Sequence, residues 1–233
     1  MKDLFGKVLL DYYNGNYTED LITATSISTE DILPLPYLFR SFDDMPKLEQ
    51  EALKLANGHV LDVGCGSGCH SLYLQNKGLE VMSIDISEGA VEVAQKQGLK
   101  NVHQTDFHEV TGTFDTVLML MNGAGILKSI KHAPECLSKL KSLRKPNGQA
   151  LVDSSDLSYM YHDEDEDFWV DLNASYYGEL DYFVSYKGEK EEPFSWLYVD
   201  FYLLRQLCDQ SGLECELACE GDHYDYLARI THK

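Results

Sequence analysis

The residues most able to do chemistry lie in one stretch, Gly58-His59-Val60-Leu61-Asp62-Val63-Gly64-Cys65-Gly66-Ser67-Gly68. An apolar run holding one acid, Asp62, leads into glycines at three alternate positions, Gly64, Gly66 and Gly68. Glycine is used where the chain needs a positive φ, or where a ligand must touch bare backbone. Strand, glycine turn and then a helix-like segment (Cys69 to Gln75) build a nucleotide-cofactor cradle at the carboxyl end of a parallel strand.

The spacing narrows the cofactor. A dinucleotide fingerprint wants a third glycine one position later, where this chain has Cys69. A phosphate loop would need Gly-Lys-Ser/Thr, and no lysine occurs between positions 55 and 76. Both absences weigh against nicotinamide dinucleotides and ATP, and an NAD(P)-dependent reductase stays open as a minor alternative. Six cysteines, at 65, 69, 136, 208, 215 and 219, form no Cys-x-x-Cys pair, and no His cluster has zinc spacing, so no metal site is expected. They read as reduced thiols of a cytoplasmic protein.

Around the cradle the pattern alternates. Leu79 to Ile84 reads as a strand ending at Asp85, and Ser87 caps a helix that Gly98 stops. Asn101 to Gln104 is a short strand ending near Asp106. Phe114 to Met121 is a near-continuous apolar run, as a central parallel strand covered on both faces requires. A helix over Pro134–Leu143 and a strand over Gln149–Val152 follow. The expected fold is α/β: a doubly wound, Rossmann-like, mostly parallel seven-stranded sheet with an antiparallel last strand, in which Leu213–Cys219 and Tyr224–Ile230 are two antiparallel neighbours.

Residues 1–57 read as an N-terminal helical cap, with a loop over 21–36 and a helix opened by Asp43-Asp44-Met45-Pro46. Residues 58–155 and 200–233 form the core. Between them, residues 156–200 hold thirteen acidic residues against two basic ones, both tryptophans and seven tyrosines. Part of this insertion, 156–199, alternates like a hairpin, Leu180 to Tyr186 with Phe194 to Tyr198, and could be a lid or a dimer contact. Its acidic run, Asp163 to Asp167, reads as a solvated face.

The glycine stretch and the acids after it resemble the class I S-adenosylmethionine-dependent methyltransferases, over roughly 58–153 and, by topology, over 213–230. The resemblance implies that Val60 to Gly68 (Asp62, Gly64, Cys65, Gly66 and Gly68 among them) admits the methionine part of the cofactor. It implies that Asp85, with Ile86 beside it, holds the ribose hydroxyls, since a carboxylate offers two oxygens in one plane. Asp106 with Phe107 matches the adenine position, and Met121, Asn122 and Gly123 would line the sulfonium. Arg40 could grip the cofactor carboxylate, or form a surface ion pair. Asp62 could bond the turn amides instead of the cofactor.

The reaction implied is in-line methyl transfer to an acceptor, and that chemistry demands no particular catalytic side chain. Net charge is -20, from 39 acidic against 19 basic residues. A field of that sign repels phosphate backbones and anionic membranes, so nucleic acid and membrane are not expected partners. Asn122-Gly123-Ala124-Gly125 lacks the Asn-Pro-Pro-aromatic signature of base-amino methyltransferases. A small-molecule acceptor is expected, with a protein side chain less so and a homodimer open. No apolar run nears the roughly 20 residues that span a bilayer, and the first residues lack the apolar segment of a signal peptide. Candidate acceptor-side groups are Asp153, Asp156, Tyr13, His223 and Tyr224. A protein of this fold that binds the cofactor without turnover is the alternative from another class.

Overall fold

The computed structural model describes residues 2–161 and 175–233; the acidic run at 163–167 lies outside them. In chain order the N-terminal segment forms α1 (Leu4–Tyr13), β1 (Leu21–Thr25), β2 (Ser28–Leu33), α2 (Leu35–Leu38) and α3 (Lys47–Leu55). Then come β3 (His59–Val63), α4 (Cys69–Asn76), β4 (Glu80–Asp85), α5 (Glu88–Lys96), β5 (Val102–Gln104) and β6 (Phe114–Met119). The chain continues through α6 (Ala133–Leu143), β7 (Arg144–Ser155), β8 (Glu179–Tyr186), β9 (Glu189–Lys190) and β10 (Phe194–Leu197). It ends with α7 (Phe201–Gln210), β11 (Leu213–Glu220) and β12 (Asp225–His232).

Seven strands make the main sheet in the order β11-β12-β7-β6-β3-β4-β5. β3 pairs in parallel with β4 and β6, while β12 is antiparallel to both neighbours. This is the doubly wound sheet that the alternation of elements implies. Its strands are apolar on both faces because helices cover both. Val60, Leu118, Leu151 and Leu227 pack on α3 and α4, and Leu61, Val117, Ala150 and Ala228 pack toward α6 and α7. Each fully buried aliphatic of this kind is stabilised by about 1.5–3 kcal/mol relative to exposure. The order leaves the ends of β3, β4, β6 and β7 side by side at one edge, where the turns after them meet.

A second, antiparallel sheet runs β10-β8-β1-β2, with β9 on β8. Residues 21–33 are therefore a hairpin, not the loop expected over 21–36, and the N-terminal segment is not wholly helical. Ile22, Thr23, Thr25 and Ile32 are β-branched; Ile32 pairs with Ile22 across the hairpin, and β1 finds its other partner in β8, where Thr23 lies opposite Val184. Pro34 and Pro36 do break the pattern, but only after β2 has ended. The helix expected from Asp43 onward begins at Lys47 instead. Pro46 holds Met45 extended (ψ 148), which cuts a single 3-10 turn at Phe42–Asp44 away from α3.

Two close approaches fix this second layer on the first. α1 lies along α5, and a Cβ at Gly89 would stand 2.5 Å from the Gly6 backbone. Asp3 joins the pair, its Oδ1 accepting from Gly6 N and its Oδ2 from Gly89 N, both at 3.0 Å. On the other side Trp196 of β10 lies flat on the turn after β6, where a Cβ at Gly125 would be 1.9 Å from its ring.

In an open helix Gly→Ala stabilises by about 1 kcal/mol. At Gly89 the clash with backbone decides the sign, and Gly89→Ala should lose about 1–3 kcal/mol in urea unfolding. It should also expose α1 to limited proteolysis before the main sheet opens.

Candidate functional site

The turn after β3 is left-handed three times over, at Gly64 (φ 73), Gly66 (φ 54) and Gly68 (φ 91). Gly64 N and Cys65 N donate to Ile84 O at 2.9 and 3.0 Å, tying the turn to the end of β4. The three glycines have different reasons. A Cβ on Gly68 would strike Leu99 Cδ1 at 2.6 Å, so that position is closed by packing. At Gly64 and Gly66 the nearest atoms are Ile126 at 3.9 Å and Phe5 at 3.8 Å, which leaves room in front of the backbone.

Asp85 ends β4 and faces this turn. Its Oδ2 accepts from Gly66 N and its Oδ1 from Ser87 N, each at 2.9 Å. Burial pushes its carboxyl above the usual range, opposed by those two amides. Each oxygen keeps a further lone pair for a hydroxyl donor. Ser87 in turn caps α5, accepting from Ala90 N. Ile86 next to it is 58% exposed, an apolar side chain left open beside a carboxylate. Thr105 N donates to Asp85 O at 2.9 Å, which brings Asp106 to the same rim. Asp106 is exposed and accepts from His108 N at 2.8 Å, with Phe107 buried beneath it. Burial pushes the Cys65 thiol far up, so it is a neutral wall and not a nucleophile.

Behind the turn is a polar cluster that the sequence shows only in part. Asp62 is buried, and its Oδ2 accepts from Ser71 Oγ at 2.6 Å; Ser71 Oγ also meets Ser83 Oγ at 2.7 Å. It lies behind the turn, and its described hydrogen bond goes to Ser71 on α4 and not to a turn amide. Arg40 forms no surface ion pair: it is buried, stacked 3.9 Å over Tyr37 and paired with Glu49. Its Nη1 donates to Tyr37 O at 2.5 Å, while its Nε is buried with no partner. His70 Nε2 meets the same Glu49 carboxylate at 2.7 Å. Burial raises the Glu49 carboxyl, but His70 and Arg40 more than reverse this and hold it low. Glu49 and His70 were missed from sequence. The available signals were an acid on the apolar stripe of α3, beside Leu48, and a histidine in the first turn of α4.

The turn after β6 forms the opposite wall. Met121 (φ 65) and Asn122 (φ 56) are consecutive left-handed residues without being glycine. Asp153 on β7 accepts from Met121 N at 3.0 Å and Gly123 N at 2.8 Å. Ser155 Oγ donates to Asn122 Oδ1 at 2.9 Å.

The remaining acceptor-side candidates do not converge here. Tyr13 is carried to the far end of α5, where its hydroxyl donates to Lys96 O at 3.0 Å. α1 and α5 run the same way, so a residue at the end of α1 points away from the strand termini. His223 is exposed in the turn between β11 and β12, and Tyr224 stacks on Tyr159 at 4.6 Å, itself 65% exposed. Asp156 is engaged by the Tyr177 hydroxyl at 2.7 Å.

Comparison with known proteins decides the family. A family model described as "Methyltransferase domain" matches residues 54–188. A solved SAM-dependent methyltransferase from Bacteroides fragilis, in complex with S-adenosyl-L-homocysteine, is 44% identical, covers 99% of this chain and 95% of its own, and superposes with a TM-score of 0.93. The chain belongs to the S-adenosylmethionine-dependent methyltransferases. Among curated relatives, a Ubiquinone biosynthesis O-methyltransferase of Xanthomonas oryzae pv. oryzae is 31% identical over 112 residues, which are 43% of this chain and 44% of that protein. The Putative methyltransferase YqeM of Bacillus subtilis is 33% identical over 110 residues, 44% of each. This methyltransferase thus spans less than half the length of the curated relatives it matches, and the cradle lies inside the family-model match.

The Arg40–Glu49–His70 cluster sets a measurable stability term. Removing one member of a buried ion pair leaves a bare charge, so Glu49→Gln should lose about 3–5 kcal/mol in urea unfolding. The methyltransferase holds Glu49 below its ordinary value near 4.5, so the unfolded chain binds more protons there. That contribution is full above the ordinary value and fades as pH falls through the folded one. The gap between wild type and variant should therefore narrow as pH falls below about 4.5.

Proposed function

We propose that this chain transfers a methyl group from S-adenosylmethionine to a small-molecule acceptor by in-line displacement. The observation that carries this reading is the open cradle at Gly64 and Gly66, closed on one side by a carboxylate that keeps free lone pairs. The residues present suit the cofactor. Gly64, Cys65 and Gly66 would admit its methionine part against bare backbone, Gly68 closes the turn onto Leu99 behind them, and Asp85 would take the ribose hydroxyls. Ile86 and Phe107 flank the adenine, whose amino group Asp106 meets. The buried, partnerless Nε of Arg40 is a donor suited to the methionine carboxylate. Asp62, buried behind the turn, ties β3 to α4 and β4 through Ser71 and Ser83. Met121, Asn122 and Gly123 line the sulfonium side.

When bound, the cofactor supplies an electrophilic methyl group, and the chain supplies alignment and exclusion of water. On the acceptor side, the inner face of the second sheet sets Tyr182, Phe194 and Trp196 together, with ring centroids 5.4, 6.2 and 5.9 Å apart. Tyr182 and Phe194 share a hydrophobic cluster with Met121, so this wall adjoins the sulfonium side. It suits a planar or cationic small molecule. The charge of -20 argues against a nucleic-acid acceptor. No helix among the described residues is long and apolar enough to cross a membrane. The described thiols are unpaired, which supports a cytoplasmic, reducing setting.

The test is titration calorimetry with S-adenosylmethionine, S-adenosylhomocysteine and NADH, followed by a metabolite-extract screen for S-adenosylhomocysteine release. Binding of the methionine cofactor and not NADH is expected, with product appearing on addition of a small-molecule fraction. Binding of NADH alone would sink the reading. Asp85→Ala removes two charge-assisted hydrogen bonds and should weaken S-adenosylhomocysteine about 100-fold or more. Unchanged affinity would take Asp85 out of the ribose role.

A further inference from the structure

We propose that Asp153 is a positioning residue for methyl transfer, holding the left-handed Met121–Asn122 pair against the sulfonium side of the cofactor rather than meeting the acceptor. The inference rests on the methyltransferase reading and adds to it a residue that acts through the backbone.

Consecutive left-handed residues with side chains are disfavoured by about 1–2 kcal/mol each. They persist only where their surroundings over-determine them. Here the surroundings are specific. The two carboxylate oxygens of Asp153 are divided between Met121 N at 3.0 Å and Gly123 N at 2.8 Å, one on each side of the strained pair. Position 123 must be small for this: a Cβ there would stand 2.8 Å from the Met119 Cβ and 3.6 Å from Asp153 Oδ1. From the same strand, Ser155 Oγ fixes the Asn122 side chain. From above, Trp196 seals Gly125. An acid that must receive a proton from an acceptor has to be reachable, and Asp153 is 8% exposed with both oxygens already engaged.

The clamp is titratable. Burial pushes the Asp153 carboxyl up to about 6, opposed by backbone amides of the turn, Gly123 foremost. Glu49 on α3 adds to the rise and His70 on α4 opposes it, while Tyr198, just after β10, and Tyr226 on β12 feel the same charge. The ionised carboxylate accepts from both amides. Once protonated, one oxygen becomes a donor and releases its amide. The turn is therefore held above about pH 6 and loosens below it.

The test uses the full chain with S-adenosylhomocysteine as the probe. Amide exchange by NMR at Met121 and Gly123 reads the clamp, and calorimetry from about pH 5 to pH 8 reads its consequence. In wild type, affinity should fall several-fold as pH drops through about 6. Asp153→Asn retains volume but offers one acceptor, so it should speed exchange at one or both amides about 10-fold, weaken the probe about 5–20-fold and flatten the pH profile. Exchange within β3 should stay unchanged, which a general loss of stability would not allow. If Asp153→Asn does not fold, Ser155→Ala frees Asn122 from the same strand, and faster exchange at Met121 is expected of it. Unchanged exchange and an unchanged pH profile in Asp153→Asn overturn the proposal; where only Ser155→Ala folds, a wild-type affinity that stays flat through about pH 6 overturns it. Failure of wild type to bind the probe defeats the methyltransferase reading instead, and the exchange rates still decide whether Asp153 holds the turn.

Discussion

A buried carboxylate spanning two backbone amides is the interaction on which this site depends, and the fold uses it twice. Asp85 ends β4 and takes Gly66 N and Ser87 N; Asp153 stands near the end of β7 and takes Met121 N and Gly123 N. The need is elementary. Buried amides must be paired, and left-handed turns cannot pair theirs with one another as a helix does. A neutral side chain could accept from them, but a carboxylate accepts from two donors at once and more strongly. Desolvation works against each acid and raises its pKa, so the amides stabilise the acid as much as the acid holds the turn. Neither partner is tenable alone in that setting.

The rest of the chain closes around these two anchors. α1 docks on α5 through glycine against glycine, and Asp3 caps both helices at their starts. That places Phe5 over Gly66 at the mouth of the cradle. From the other side, β10 brings Trp196 onto Gly125. Both closures use a missing side chain, not an added contact. A Cβ at either glycine would lift a whole element, so closure depends on the backbone approaching closely and tolerates little change there.

Much of this was legible before the structure. The main sheet follows from apolar runs of strand length, left-handed glycines just after α4, α5 and α7 (Gly78, Gly98 and Gly212), and a cap such as Ser87, all of which act within a few residues. Asp85 was legible because it ends a strand facing a glycine turn. What was hidden is long-range. β1 pairs with β8, about 160 residues later, and the Ser and Thr residues that suit that strand also suit a loop. Glu49 and His70 meet only because α3 and α4 pack side by side. Asp153 was found as a residue at a strand end, but its partners, the amides of Met121 and Gly123, depend on a left-handed pair that Asn122 alone hints at and Met121 does not. Tyr13 misled for the converse reason, since the direction of α1 along α5 cannot be read from its own periodicity.

This division has a consequence for how such a protein can change. The groups around the cofactor are chiefly backbone, fixed by glycines and by two acids, and each is tied to at least two elements. The groups proposed to face the acceptor are side chains on the inner face of a sheet assembled from the N-terminal hairpin and the insertion. Substituting Tyr182, Phe194 or Trp196 alters that face without touching a turn amide, although Trp196 also carries the contact with Gly125. Methyl transfer asks mainly for alignment, and alignment here comes from the half of the site that tolerates least. Acceptor choice is therefore free to drift along β8 and β10 while the donor stays fixed, with Trp196 as the position where a change on one side is felt on the other.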